Sequence, residues 1–141
     1  SKGDKTTEII SELTNLNIKL NITAIFTINQ IQKIIESVSP KEDIILSIFA
    51  GRIADTGRDP TDIFIESKKL IEKKSKKIKL LWASVREVYN IYQAANVGSD
   101  IITVTPDALS KIVLMNKNLD EYSIETVKMF YEDAKKGNIK I

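Results

Sequence analysis

Apolar runs of strand length alternate with amphipathic helical stripes four times along this chain, and no other feature limits the fold as much. Residues 19–26 read as a strand. A capping box, Thr27-Ile28-Asn29-Gln30, then opens a helix whose stripe is Ile28, Ile31, Ile34, Ile35 and Val38, and Ser39-Pro40 stops it. Residues 44–49 form a nearly continuous apolar run, as expected of a strand covered on both faces. A polar loop follows. Asp59 then caps a helix over residues 60–74, with Pro60 in its first position and Ile63, Phe64, Leu70 and Ile71 inward. Residues 78–83 are a third strand, and Val88, Ile91, Tyr92 and Ala95 mark the helix after it, which ends at Gly98. Residues 101–104 are a fourth strand, and Thr105-Pro106-Asp107 caps a helix to Leu114. One helix precedes this series over residues 6–16, with Ile9, Ile10, Leu13 and Leu16 on one face. Another closes it over residues 123–136, with Ile124, Val127, Phe130, Tyr131 and Ala134 inward.

Strands alternating with helices predict a parallel sheet with right-handed crossovers. No glycine-rich dinucleotide or P-loop motif follows any strand, so nucleotide-binding versions of that fold have no support. A (β/α)8 barrel remains, and such barrels typically run to about 250 residues. With 141 residues and four of the eight units, the chain reads as half a barrel: α/β, four parallel strands with helices, plus a C-terminal helix.

The chain has no cysteine and no histidine, which removes thiolate chemistry, Cys-bound zinc and the commonest general base. The net charge of +2 argues for neither nucleic acid nor membrane, and no apolar run is long enough to span a bilayer. The expected compartment is the cytoplasm. The opening Ser1-Lys2-Gly3 lacks a methionine, so sequence upstream is expected. Among 21 basic residues only Arg52, Arg58 and Arg86 are arginines, and each lies at or just beyond the end of a predicted strand. Arginine's planar fork suits bidentate contact with phosphate. Pairing with Asp55, Asp59 or Glu87 would be the ordinary use of any one of them; Arg52 and Arg86 together read as an anion site. Ser84 and Arg86 share a parity and would point the same way if the backbone stays extended. Asn21 and Thr23 lie two apart on an otherwise apolar strand. Ligand contact and a structural hydrogen-bond pair are both open readings there, whereas Thr103 and Thr105 read as structural. The lysine-rich stretch 73–79 reads as a solvated turn rather than an RNA or lipid site, and Trp82, Phe26 and Phe49 read as core.

The runs Lys19-Leu20-Asn21-Ile22-Thr23-Ala24-Ile25-Phe26-Thr27, Phe49-Ala50-Gly51-Arg52, Trp82-Ala83-Ser84-Val85-Arg86 and Ile101-Ile102-Thr103-Val104-Thr105-Pro106, in this order, resemble the second half of the transaldolase family. That family includes transaldolases and fructose-6-phosphate aldolases. The resemblance covers residues 1–141, from the helix after the fourth barrel strand to the C-terminal helix. It implies a Schiff-base aldol enzyme of carbohydrate metabolism that uses no metal or cofactor. A lysine amine condenses with a ketose phosphate such as fructose 6-phosphate, the bond between the third and fourth carbons breaks, and a dihydroxyacetone unit stays on the lysine. Water or an acceptor aldehyde then decides between aldolase and transaldolase outcomes. On this resemblance Arg52, Ser84 and Arg86 hold the phosphate, while Asn21 and Thr23 hold hydroxyls and the catalytic water. Phe49 stands where aldolase members carry a tyrosine that handles the water, which leans towards transaldolase chemistry. The family's Schiff-base lysine lies before Ser1, and neither Lys2 nor Lys5 matches it, so the catalytic lysine is expected outside this chain.

A half-barrel has two open sheet edges and an apolar inner face, so it is expected to pair with the N-terminal half of the barrel or with a second copy. The resemblance suggests that the last helix packs on a neighbouring subunit in a homo-oligomer. A non-catalytic phosphosugar-binding or assembly module of the same fold is the alternative to an enzyme. A nucleic-acid-binding protein is a distant third.

Overall fold

The computed structural model describes residues 6–137, so Lys2 and Lys5 lie outside the described residues. The chain divides into two compact units, Ser1–Leu109 and Ser110–Ile141. The first contains α1 (Thr6–Asn15), β1 (Leu20–Ile25), α2 (Ile28–Ser37), β2 (Ile44–Ile48), α3 (Ala50–Ala54), α4 (Thr61–Lys74), β3 (Ile78–Trp82), α5 (Tyr89–Asn96) and β4 (Ile101–Ile102), with α6 (Pro106–Ser110) at its end. The four strands form one sheet in the order β1-β2-β3-β4, and every neighbouring pair is parallel. A doubly wound sheet would reverse its strand order at a switch point. Sequential parallel strands with intervening helices are the C-terminal half of a (β/α)8 barrel.

Side-chain parity assigns the two faces of the sheet. Ile44, Leu46 and Ile48 on β2, with Ile78, Leu80 and Trp82 on β3, join Ile31 and Ile34 of α2 and Phe64 and Ile71 of α4 in the main core. The register aligns Ile44 with Ile78, Leu46 with Leu80 and Ile48 with Trp82, so these side chains stack in layers beneath the helices. Each Ile or Leu buried there contributes roughly 1.5–3 kcal/mol. Trp82 stacks on Phe64 with ring centroids 4.5 Å apart. The opposite parity carries Asn21, Ile45, Ser47, Lys79 and Leu81, on the face that a closed barrel turns inward. The expectation of an exposed apolar inner face is corrected here: Ser47 and Leu81 are buried, and Asn21 and Lys79 break the apolar row with polar groups.

Several local expectations also change. The polar loop expected after β2 begins as the short helix α3, and the next helix starts one residue late, with Pro60 in the cap position. Asp59 still supplies the cap's chemistry, accepting the Thr61 N–H at 2.9 Å. The fourth strand pairs over two residues only, and the helix expected after it breaks into α6 and a 3-10 turn, Lys111–Leu114. On α5 the buried residues are Asn90 and Ala94, while Tyr92 and Ala95 are exposed. On α1 they are Ile10 and Thr14, and Ile9 and Leu16 are exposed.

In the second unit α7 (Leu119–Lys136) begins four residues earlier than expected. Asn118 caps it, with Oδ1 accepting the N–H groups of Asp120 and Glu121 at 2.9 and 3.1 Å. Ile124, Val127, Phe130 and Tyr131, expected inward, are all exposed. Among the described residues no helix is long and apolar enough to cross a membrane.

Candidate functional site

The site is built where β2 and β3 end side by side, at the C-terminal rim where (β/α)8 barrels carry their chemistry. Beyond the strands the backbones stay joined: Ala83 N–H donates to Ile48 O at 2.9 Å, and Gly51 N–H to Ala83 O at 3.4 Å. Gly51 is there because nothing larger fits. A Cβ on it would lie 1.7 Å from the Ser84 carbonyl oxygen and 3.1 Å from Arg86 Cγ.

Ser84 makes this approach through a left-handed backbone, φ 66, a region that non-glycine residues seldom occupy. The expectation that Ser84 and Arg86 share a face on an extended strand is therefore corrected. The strand has ended at Trp82, and a turn at Ser84 intervenes. Val85 is then buried and Arg86 emerges.

Arg86 is held at three levels. Its main-chain N–H donates to Asn90 Oδ1 at 2.8 Å, its stem lies against Gly51, and its Nη2 donates to Asp55 Oδ2 at 2.6 Å. Asp55 follows the last residue of α3, so the helix that starts at Gly51's turn also delivers the carboxylate. Both members of the pair are about half exposed, with 53% of each side chain accessible. Arg52 lies elsewhere on the same turn, its guanidinium 5.5 Å from the centroid of the Phe49 ring. Phe49 in turn packs against Phe26, centroids 5.8 Å apart.

On the inner face Ser47 Oγ donates to Asn21 Oδ1 at 2.6 Å, a structural partner for the buried serine. Thr23 is exposed near the end of β1, beside an irregularity between Ile22 and Ile25 where Ala24 takes φ 58. The predicted residues thus fall into three groups: Ser84 with Arg86, Phe49 with Arg52, and Asn21 with Thr23 on β1.

A cleft of about 190 Å³ opens beside the first group, lined by Gly51, Arg58, Asp59, Trp82, Arg86 and Asn90 among others. Arg52 and Ser84 do not line it; Arg58 does. Asp59 is held below the usual carboxylate range by the Thr61 hydroxyl and then by the Thr61 N–H. Sequence reasoning missed Asn90 altogether. The available signal was an amide three and four residues after a turn that lacks a Ser, Thr or Asp cap.

Residues 4–141 match the model of a family described as Transaldolase/Fructose-6-phosphate aldolase. A probable transaldolase of Thermoplasma volcanium is 32% identical over 133 residues, which are 94% of this chain and 56% of that protein. A probable transaldolase of Mesorhizobium japonicum is 31% identical over 118 residues, 82% of this chain and 52% of its own length. The chain spans about half the length of the curated relatives it matches.

Proposed function

This chain belongs to the transaldolase/fructose-6-phosphate aldolase family, and we propose that residues 1–141 are the C-terminal, phosphate-holding half of a Schiff-base aldol enzyme of cytoplasmic carbohydrate metabolism. Its substrate is a ketose phosphate such as fructose 6-phosphate. In this reading the catalytic lysine comes from the barrel's other half. Arg52, Ser84 and Arg86 hold the phosphate, Asn21 and Thr23 hold substrate hydroxyls and water, and Phe49 walls the site.

The observation that carries the reading is the interlock of the two turns. Gly51 admits the Ser84 carbonyl, and the same contact seats the stem of Arg86. Arg52 and Arg86 follow neighbouring strand ends of one sheet, and a bidentate arginine fork suits the oxygens of a phosphate. Asp55 neutralises part of the Arg86 charge, so anion binding exchanges or shares that partner.

The test is titration of fructose 6-phosphate into the intact protein and into Arg52→Ala and Arg86→Ala. Each substitution is expected to weaken binding by about 1.5–3 kcal/mol, the scale of a charged hydrogen bond. Unchanged affinity in both variants would sink the phosphate assignment. Borohydride trapping with the same sugar, on the barrel completed by its other half, separates the enzyme, which forms an adduct on that half's lysine, from a non-catalytic phosphosugar-binding module, which gives none. An adduct on a lysine of this chain would overturn the placement of the nucleophile in the other half.

A further inference from the structure

Two strand-to-helix turns of this sheet are held by the same device. After β1, Gln30 Oε1 accepts the backbone N–H groups of Phe26 at 2.8 Å and Thr27 at 3.0 Å. After β3, Asn90 Oδ1 accepts those of Arg86 at 2.8 Å and Glu87 at 3.2 Å. In both, an amide in the first turn of a helix reaches back three and four residues to donors that the helix itself leaves unpaired. What differs is the cargo. Gln30 is exposed and its turn carries Phe26 and Thr27, whereas Asn90 is buried and its turn carries Arg86. Asn90 is itself fixed, its Nδ2 donating to Gln93 Oε1 at 2.9 Å.

We infer that Asn90 is a positioning residue for anion binding: it fixes the main chain of Arg86 so that the guanidinium reaches the phosphate of the substrate. This rests on the phosphate reading above. An exposed ion pair such as Arg86 with Asp55 holds a long side chain weakly. The clamp therefore comes from Asn90 on the backbone and Gly51 against the stem, both buried. The ordering cost of the arginine is then met on folding rather than on binding.

Titration of inorganic phosphate into the full chain tests this, with thermal unfolding measured in parallel. Asn90→Ala is expected to weaken phosphate binding roughly tenfold. In an Arg86→Ala background the same change should alter affinity by less than about twofold, because its target is gone. In an Arg52→Ala background it should keep its full effect. Gln30→Ala, the same device without the arginine, should lower the unfolding midpoint and leave the phosphate affinity alone.

The inference is overturned if Asn90→Ala binds like wild type, if its effect persists undiminished without Arg86, or if Gln30→Ala weakens binding equally. Should Arg86→Ala itself bind phosphate as wild type does, Arg86 is not a phosphate ligand and this inference falls; if Arg52→Ala binds as wild type too, the phosphate reading has failed with it. Should Arg86→Ala weaken binding while Asn90→Ala does not, only the inference falls. If Asn90→Ala does not fold, Asn90→Ser goes through the same cycle.

Discussion

Of Gly51, Gly57 and Gly98, Gly51 is the one at which an added side chain collides with the backbone. A Cβ would meet the Ser84 carbonyl at 1.7 Å, and a backbone atom cannot rotate aside as a side chain can. Overpacking costs about 1–3 kcal/mol, and Gly51→Ala is expected at the upper end of that range or beyond. Urea unfolding measures it, and a change within about 0.5 kcal/mol would mean that the two turns do not interlock. The Asp55–Arg86 pair is the weaker bond despite its short contact: both side chains are half exposed, and such pairs contribute about 0–1 kcal/mol. Stability at this corner therefore comes from the close backbone approach, and the ion pair adds little to it. Asp59 adds a pH-dependent contribution. Its pKa is lowered in the folded state by Thr61, so its stabilisation is present above the ordinary carboxylate pKa and fades as pH falls through the lowered value. Asp59→Asn keeps an acceptor that does not titrate. Its unfolding midpoint should fall less steeply than that of wild type below about pH 4, and parallel slopes would count against this account.

At the scale of elements, α2 was the most legible because local and tertiary signals agree. Thr27 Oγ1 accepts the Gln30 N–H at 3.3 Å, Gln30 answers with its side chain, and Ile31 and Ile34 are buried where the period puts them. Thr27→Ala should cost about 1 kcal/mol, read as a lower unfolding midpoint; an unchanged midpoint would mean that the box adds nothing to packing. Strands β2 and β3 were equally plain, since continuous apolar runs flanked by helices have few alternatives. Legibility failed where a short element is decided by one polar contact. α5 hides Asn90 and leaves Tyr92 in solvent, because two backbone N–H groups at its start need an acceptor more than the tyrosine ring needs cover. The left-handed turn at Ser84 escaped for a related reason. Serine carries no sequence signal for positive φ, and only the neighbouring strand's glycine makes the turn useful. The family motifs named Arg86 but not Arg58, which lines the same cleft; the charge pattern offered Asp55 as a partner, and Arg86 takes it, whereas the Asn90 contact carried no such signal.

At the scale of the molecule, the sheet order among the described residues leaves β1 paired only with β2 and β4 only with β3. An open edge offers unpaired backbone groups to another chain. β4 blunts its own edge by pairing over two residues, but β1 runs for six, and its irregularity disturbs only the stretch after Ile22. The inner face mixes Asn21, Ser47 and Lys79 with its apolar groups, which leaves the β1 edge and the exposed row on α7 as the surfaces for association. Val127, Phe130 and Tyr131 are 64%, 63% and 55% accessible, an apolar stripe of the kind that monomers seldom leave uncovered. The expected outcome is that the 15.9 kDa chain sediments as a dimer or larger species, or joins a chain that supplies the remaining barrel strands. Phe130→Lys tells the two surfaces apart. If it shifts sedimentation towards the monomer while the far-UV spectrum is unchanged, α7 makes the contact; if association persists, the β1 edge does. A folded wild-type monomer at micromolar concentration would refute both, because neither an unpaired six-residue edge nor an exposed Phe130 would then have recruited a partner.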